Sequence, residues 1–340
     1  MQRTNSFSKG MRQIAEDLSS YYELTYRPTT AKADGGFRKL EIKVAREGAR
    51  VQAGRDYLVG ASAAPPAPEF EKPLLAALAA ETLPHDLEVW DRAFHFAWDG
   101  KGLEHVLWVA VPLAHVTLAE DAQAGQFKGE VAILARVKDA SGQVVGSFSQ
   151  DFPLVGPLDQ LSRARSQSIP FVRRLKLAPG DYTLETAVRD AAAGKLTARR
   201  RTLQARAPQD LVQSSVSLGD LKPASPSSDP NDPFRVEAQR LVPNLGQPIK
   251  AGGSPMTLHC IVYPVAGSKA PANATFTLLS GADVLMNQTA PLPAADASGR
   301  ISYGSALRVD LIPPGSYQMK VSVTQGSSRT EESTPFTIVP

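Results

Sequence analysis

The sequence predicts a mainly β fold built from two antiparallel β-sandwiches, and three observations carry that expectation. From Leu87 to Ala207, and again from Phe234 to Pro340, short runs alternate apolar and polar residues between Gly, Pro and Asp turns. Between these regions, residues 219–233 (GDLKPASPSSDPNDP) have the composition of a linker. The third observation is an internal repeat: Arg174–Leu184 (RLKLAPGDYTL) matches Arg308–Met319 (RVDLIPPGSYQM), with one extra residue before the glycine.

Each copy of the repeat reads as a strand, a turn at Pro179-Gly180 or Pro314-Gly315, and then Tyr182 or Tyr317 opening the next strand. Gly is expected there for a backbone conformation that other residues resist, and the tyrosine can pack inward while its hydroxyl bonds a backbone group of the corner. In immunoglobulin- and fibronectin III-like sandwiches such a corner precedes a late strand. Each tyrosine here leaves room for that strand and one more, so both copies fit the same place and the two sandwiches are expected to be of this type.

Ahead of the sandwiches, Met11, Ile14, Ala15, Leu18 and Tyr21 recur at helical spacing, with Ser8 as a cap. Tyr22, Leu24 and Tyr26 then alternate as a strand that Pro28 ends. An Asp34-Gly35-Gly36 turn leads to a strand through Phe37–Val44, and Glu47-Gly48 precedes another through Val51–Tyr57. A helix and three strands of this size are too small to hold a core alone. Residues 60–70 are rich in Pro and Ala, and Pro73 suits the first turn of a short helix carrying Leu74, Leu75, Leu78 and Ala79. The resulting division is 1–60 helix plus strands, 61–86 linker with a short helix, 87–210 first sandwich, 211–233 linker and 234–340 second sandwich.

The bulk numbers agree with several folded domains. The chain has 340 residues, of which 42% are apolar and 21% charged. A net charge of +3 sets up no global field toward nucleic acid or membrane, and no nucleic-acid partner is expected. A local excess of cations falls between residues 163 and 206. Arg163, Arg165, Arg173, Arg174, Arg199, Arg200 and Arg201 are therefore candidates for an anionic partner, weighed against the solvated outer face of a sheet. Cys260 is the sole cysteine, which excludes an internal disulfide and a cysteine zinc cluster. No run of apolar residues is long enough to span a bilayer, and MQRTNSFSKGMRQ lacks the apolar stretch of a signal peptide.

Catalytic and metal chemistry finds no footing in the pattern. His85, His95, His105 and His115 recur every ten residues, yet no carboxylate or thiol stands at ligand spacing from them. Alternation puts His259 and Cys260 on opposite faces of one strand, against a thiolate–imidazole pair. Gly-x-Ser-x-Gly, a phosphate-cradling glycine loop and His-Glu-x-x-His are all absent. Asp139 and Asp190 each precede a glycine-bearing turn, ordinary hairpin chemistry with calcium as the rival reading. Trp90, Trp98 and Trp108 are expected in a core rather than as a sugar-stacking platform. No catalytic residue, metal ligand or cofactor is assigned.

Two stretches, IAEDLSSYYELTYRP from Ile14 and DGGFRKLEIKVAREGARVQAGRDY ending at Tyr57, resemble the carboxyl end of the bacterial VWFA-related domain proteins. The resemblance rests on a helix, a Tyr-Tyr-x-Leu-x-Tyr-x-Pro strand and an Asp-Gly-x-Phe-Arg-Lys turn. Ala53-Gly54-Arg55-Asp56-Tyr57 departs from the family's closing Arg-x-Gly-Tyr. It implies that residues 1–60 are a small α+β remnant of a von Willebrand factor A-type domain, with the chain starting near that domain's end. The family's Asp-x-Ser-x-Ser metal loop is absent, so no metal-binding residue carries over. It further implies an extracellular or periplasmic setting, and a non-catalytic protein that binds a protein partner or mediates adhesion. A carbohydrate-binding module and the anionic-partner binder are the alternatives.

Overall fold

The computed structural model describes residues 37–39, 56–58, 67–97, 103–207, 209–224 and 232–340. Two compact units result, one of residues 21–69 and one containing residues 70–340. The described part of the first is a short antiparallel ladder of β1 (Phe37–Lys39) and β2 (Asp56–Leu58), in the register Phe37 opposite Leu58. The helix expected over residues 8–21, the strand over 22–26 and Trp98 lie outside the described residues.

The large unit opens with helix α1 (Glu71–Ala79), with Pro73 in its first turn. The first sandwich follows as β3 (Trp90–Ala97), β4 (Leu103–Pro112), β5 (Ala119–Asp121), β6 (Gln126–Asp139), β7 (Val144–Pro157), a short helix α2 (Leu161–Arg165), β8 (Ser168–Leu177), β9 (Gly180–Asp190) and β10 (Lys195–Ala205). One sheet has the order β3-β4-β8. The other runs β10-β9-β6, with β7 on the far side of β6 and β5 as a short lip. A three-stranded sheet of the first, second and later strands facing a four-stranded sheet is the fibronectin III arrangement. Val109, Phe171, Val131, Ile133, Phe152 and Val188 interdigitate between the sheets because strand alternation sends one face of each inward.

Several strands are apolar on both faces, and the outer faces are covered too. Ala132, Leu134, Ala187 and Ala198 on the outside of β6, β9 and β10 take Leu74, Ala77 and Leu78 of α1. The segment 61–86, read from sequence as a linker, thus contains part of the first sandwich's packing. Burying three side chains on an alanine-lined face outweighs the cost of ordering a short helix.

The second sandwich comprises β11 (Val212–Gln213), β12 (Ser217–Pro223), β13 (Arg235–Val236), β14 (Gln239–Pro243), β15 (Ile249–Lys250), β16 (Met256–Tyr263), β17 (Ala272–Ser280), β18 (Asp283–Pro291), β19 (Ile301–Leu307), β20 (Gly315–Gln325) and β21 (Ser328–Val339). Its sheets repeat the first topology: β12-β16-β19 face β18-β17-β20-β21, with β14 beyond β12 and β15 parallel to β21. Here the expected linker over 211–233 needs correcting, because residues 212–213 and 217–223 are strands of this sheet. Val216 and Leu218 both reach the core, and Ser217 to Gly219 pair with β16.

The outer faces of β3-β4 and of the β12-β14-β16 sheet close on one another. Phe94, Phe96 and Trp108 meet Phe234, Leu241 and Ile261 in one buried cluster. Phe234 stands edge-on to three rings, 5.1 Å from Phe94, 5.4 Å from Phe96 and 5.3 Å from Trp108 between centroids. The two sandwiches therefore share a hydrophobic seam rather than hanging on a flexible tether.

Candidate binding cleft

The two corners supply a register by which one sandwich can be laid on the other. The Tyr182 hydroxyl donates to the Ala178 carbonyl at 2.9 Å, and the Tyr317 hydroxyl to the Pro313 carbonyl at 2.8 Å. Both tyrosines sit two residues after the glycine that opens β9 or β20, opposite Leu203 and Phe336 respectively. Two features depart from the sequence reading. Neither Gly180 nor Gly315 has a positive φ, so backbone conformation does not require them; the tyrosine ring lies against each. The stretch Arg308–Leu311 is not strand: β19 ends at Leu307, and Val309–Leu311 form a turn of 3₁₀ helix with Val309 buried and Leu311 exposed. Leu307, opposite Met256, thus occupies the place of Leu177, opposite Leu103.

With that register, Phe148, Gln150, Arg173 and Leu175 of the first sandwich correspond to Gln288, Ala290, Tyr303 and Ser305 of the second. These are the positions where the edge strands of the two facing sheets come together. In the first sandwich the edge is closed: Arg173 lies over the Phe171 ring at 4.0 Å and its guanidinium donates to the side-chain Oε1 of Gln150 at 2.7 Å. In the second, Leu has become Ser and Gln has become Ala. A cleft of about 350 Å³ opens between β18 and β19. Phe276, stacked on Tyr303 at 5.1 Å, forms its wall with Leu278, Met286 and Met319, and Arg308 stands at the rim held by Asp310 at 2.6 Å. Phe276 and Leu278 are placed by β17, Met286 and Ala290 by the inward row of β18, and Tyr303 and Ser305 by that of β19.

The sequence reading did not single out these residues. The signal was present in VLMNQTAP, where the row that lines the cleft carries Met286, Gln288 and Ala290 and no branched or aromatic residue, but it becomes informative only after the corners align the two domains.

The seven arginines proposed for an anionic partner do not form one patch. Arg199 and Arg201 reach the buried Asp91 at 3.3 and 3.2 Å, whereas Arg200, on the opposite face of β10, reaches the buried Glu185 at 3.3 Å. Glu185 also takes Arg136 and Lys138, and these cations hold its carboxyl below the usual range against the opposing effect of burial. Arg173 and Arg174 point to opposite faces of β8, Arg173 to Gln150 and Arg174 to Asp232 at 3.7 Å. Arg165 approaches Glu120 at 3.8 Å, and Arg163 is exposed. Most of this charge neutralises buried carboxylates of the fold.

The histidines and turns resolve similarly. Burial pushes the Cys260 thiol up to about 12 and the His259 imidazole down to about 4, so neither is primed for nucleophilic chemistry. Both oxygens of Asp190 are occupied by backbone N–H groups of Thr117, Ala192 and Ala193, and Asp139 caps its own hairpin through Ser141 and Gln143. Trp108 is buried in the seam, which removes it from any sugar platform, and the half-buried Trp90 packs against the same cluster.

A Ser–His–carboxylate contact does occur at the seam. Ser215 Oγ is 2.9 Å from His95 Nδ1, and His95 Nε2 is 3.5 Å from Glu332 Oε1. The same hydroxyl accepts the His95 backbone N–H at 2.9 Å, while the Ser215 N–H donates to the His95 carbonyl at 3.0 Å. The serine thus extends the free edge of β3 as a strand partner would.

No family model matches the chain, and no curated protein matches it. Among solved structures it is similar to the D1–D4 ectodomain fragment of ICAM-5, at 12% identity over 73% of this chain and 53% of that one, with a TM-score of 0.21. A second similarity, to the Parabacteroides merdae β-glucuronidase, has 12% identity over 70% of this chain and 28% of that one, with a TM-score of 0.23. The chain spans about half of the first protein and under a third of the second, and the immunoglobulin-like assignment stands on the strand order and corners described above.

Proposed function

We propose that this chain is a non-catalytic binding or structural protein that recognises a protein partner, with the cleft of the second sandwich as its recognition element. The observation that carries the reading is the contrast between two sandwiches of one topology, the first sealed along the edge where the second is open. Giving up a half-buried apolar position such as that of Leu175 without a compensating contact costs stability. Retaining the opening makes sense where something else fills it. The resemblance of residues 14–57 to VWFA-related proteins supports adhesion or protein–protein contact at a bacterial envelope as the setting.

The test has two arms. The apolar dye ANS should bind the wild-type protein and lose its signal in Ala290→Phe, where the ring fills the cleft. A broad esterase and glycosidase screen should show no turnover; turnover abolished by Ser215→Ala would replace this reading with a hydrolase centred on His95.

A further inference from the structure

We infer that the second sandwich binds an extended peptide strand, which pairs with the free edge of β18 and sends alternate apolar side chains into the cleft between β18 and β19. This rests on the binding-module reading and names the chemical class of the partner.

The first support is the edge itself. Among the described residues β18, nine residues long, pairs on one side only; its register on β17 shifts once, near its start between Leu278 and Leu279, and from there to the closing Pro291 it carries no charge. Exposed edges in soluble proteins are normally blunted by Lys, Pro, a twist or a very short length, because a row of unpaired N–H and C=O groups recruits any free strand. Here Val284 and Leu285 are 58% and 53% exposed on that edge. The other long strand at an equivalent edge, β7, is bridged to its neighbouring sheet by the Arg173–Gln150 bond, and the connection after it turns Leu161 and Ala164 of α2 into the core. The connection after β18 turns only the half-buried Leu292 toward the core, and Pro293 to Gly299 are exposed throughout.

The second support is the size and lining of the cleft. A volume of about 350 Å³ lies at the lower end for drug-sized ligands, and its walls are Phe276, Leu278, Met286, Tyr303 and Met319. That suits a few aliphatic or aromatic side chains held at the two-residue spacing of a strand. Main-chain bonds to β18 would provide affinity and the cleft would select the side chains. Beyond Asp283 at the start of β18, neither β18 nor β19, Ile301–Leu307, carries a charge, and Arg308 at the rim is paired with Asp310, which favours an uncharged segment over an acidic or basic one.

The experiment uses the full chain and fluorescein-labelled decapeptides that alternate Thr with Val, Leu or Phe, with an alternating Ser/Thr peptide as control. Binding is read by anisotropy, and backbone protection of Val284–Ala290 by hydrogen exchange. At least one apolar peptide should bind about tenfold more tightly than the control and protect those amides. Ser305→Leu, which installs the residue found at the same place in the first sandwich, and Ala290→Phe should each reduce binding by about tenfold or more at an unchanged or raised Tm. Leu285→Lys, outside the cleft, should weaken pairing less, which distinguishes edge from cleft if one filling variant fails to fold. Binding by none of the peptides at millimolar concentration overturns the inference. So does concentration-dependent protection of β18 without peptide, which would assign the edge to a second copy of this chain. ANS displacement without protection of β18 would assign the cleft to a small apolar ligand. None of these outcomes bears on turnover, so the binding-module reading fails separately, through the enzyme screen.

Discussion

The Tyr317 ring lies so close over Gly315 that its hydroxyl oxygen would stand 3.0 Å from a methyl group placed there, whereas the Tyr182 ring would stand 3.6 Å from a methyl group on Gly180. The hydroxyls are anchored alike, to the Pro313 and Ala178 carbonyls, so the first ring can retreat only by giving up its hydrogen bond. Gly315→Ala is expected to cost about 1–3 kcal/mol through overpacking. Gly180→Ala should be neutral or stabilise by up to about 1 kcal/mol, since it restricts the unfolded chain without a clash. Tyr317→Phe should cost about 1 kcal/mol and relieve part of the Gly315→Ala penalty in the double variant. Urea midpoints of the four variants against the wild type check this; equal losses for the two alanine variants would contradict it.

Phe234 couples the sandwiches through three edge-on rings and is almost wholly buried. Phe234→Ala should cost about 3–5 kcal/mol, most of it in the seam rather than in either core. Differential scanning calorimetry should then resolve two transitions where the wild-type protein gives one for these domains. Hydrogen exchange should rise first in β3 and β14. A single transition shifted as a whole would show that Phe234 supports one sandwich alone.

His105 and His259 are both held near 4, His105 by burial and by His95 across the strand pair, His259 by burial that Asp232 only partly offsets. Each imidazole is therefore neutral in the fold at a pH where the unfolded chain, titrating near the ordinary value of about 6.5, already takes up a proton. Unfolding binds protons in this window, so stability is fully present above about pH 6.5 and falls as the pH drops toward 4. His105 Nδ1 meets the Leu103 carbonyl and His259 Nε2 meets the Ser302 hydroxyl, so among the described residues neither ring has an anionic partner in contact to reverse the sign. The His105→Gln, His259→Gln double variant should show a flatter stability curve between pH 4 and pH 6.5, measured by urea unfolding. An unchanged slope would contradict this origin.

Much of the sandwich architecture was legible in the residues because it depends on short-range rules. Alternation fixes which side chains of β6, β9, β16 and β20 face inward, and the corner at Tyr182 and Tyr317 marks a late strand in each domain. The strand within 211–233 is hidden in the sequence because Val216 and Leu218 are too few to give a periodic signal, and Ser217 to Gly219 become strand by pairing with β16. Leu311 was read as strand because its local pattern copies Leu177. Its neighbour Val309 instead fills the core, which turns the chain into a 3₁₀ turn.

The sequence by itself determined an all-β fold with two sandwiches and the two hydrogen-bonded corners, since strand periodicity and turn chemistry act over a few residues. Only the tertiary structure decided the seam around Phe234, the absorption of Arg199, Arg200 and Arg201 by Asp91 and Glu185, and the cleft at Ala290 and Ser305. Each of these joins residues far apart in the chain, and whether a position is filled, neutralised or left open depends on what the opposite sheet brings to it.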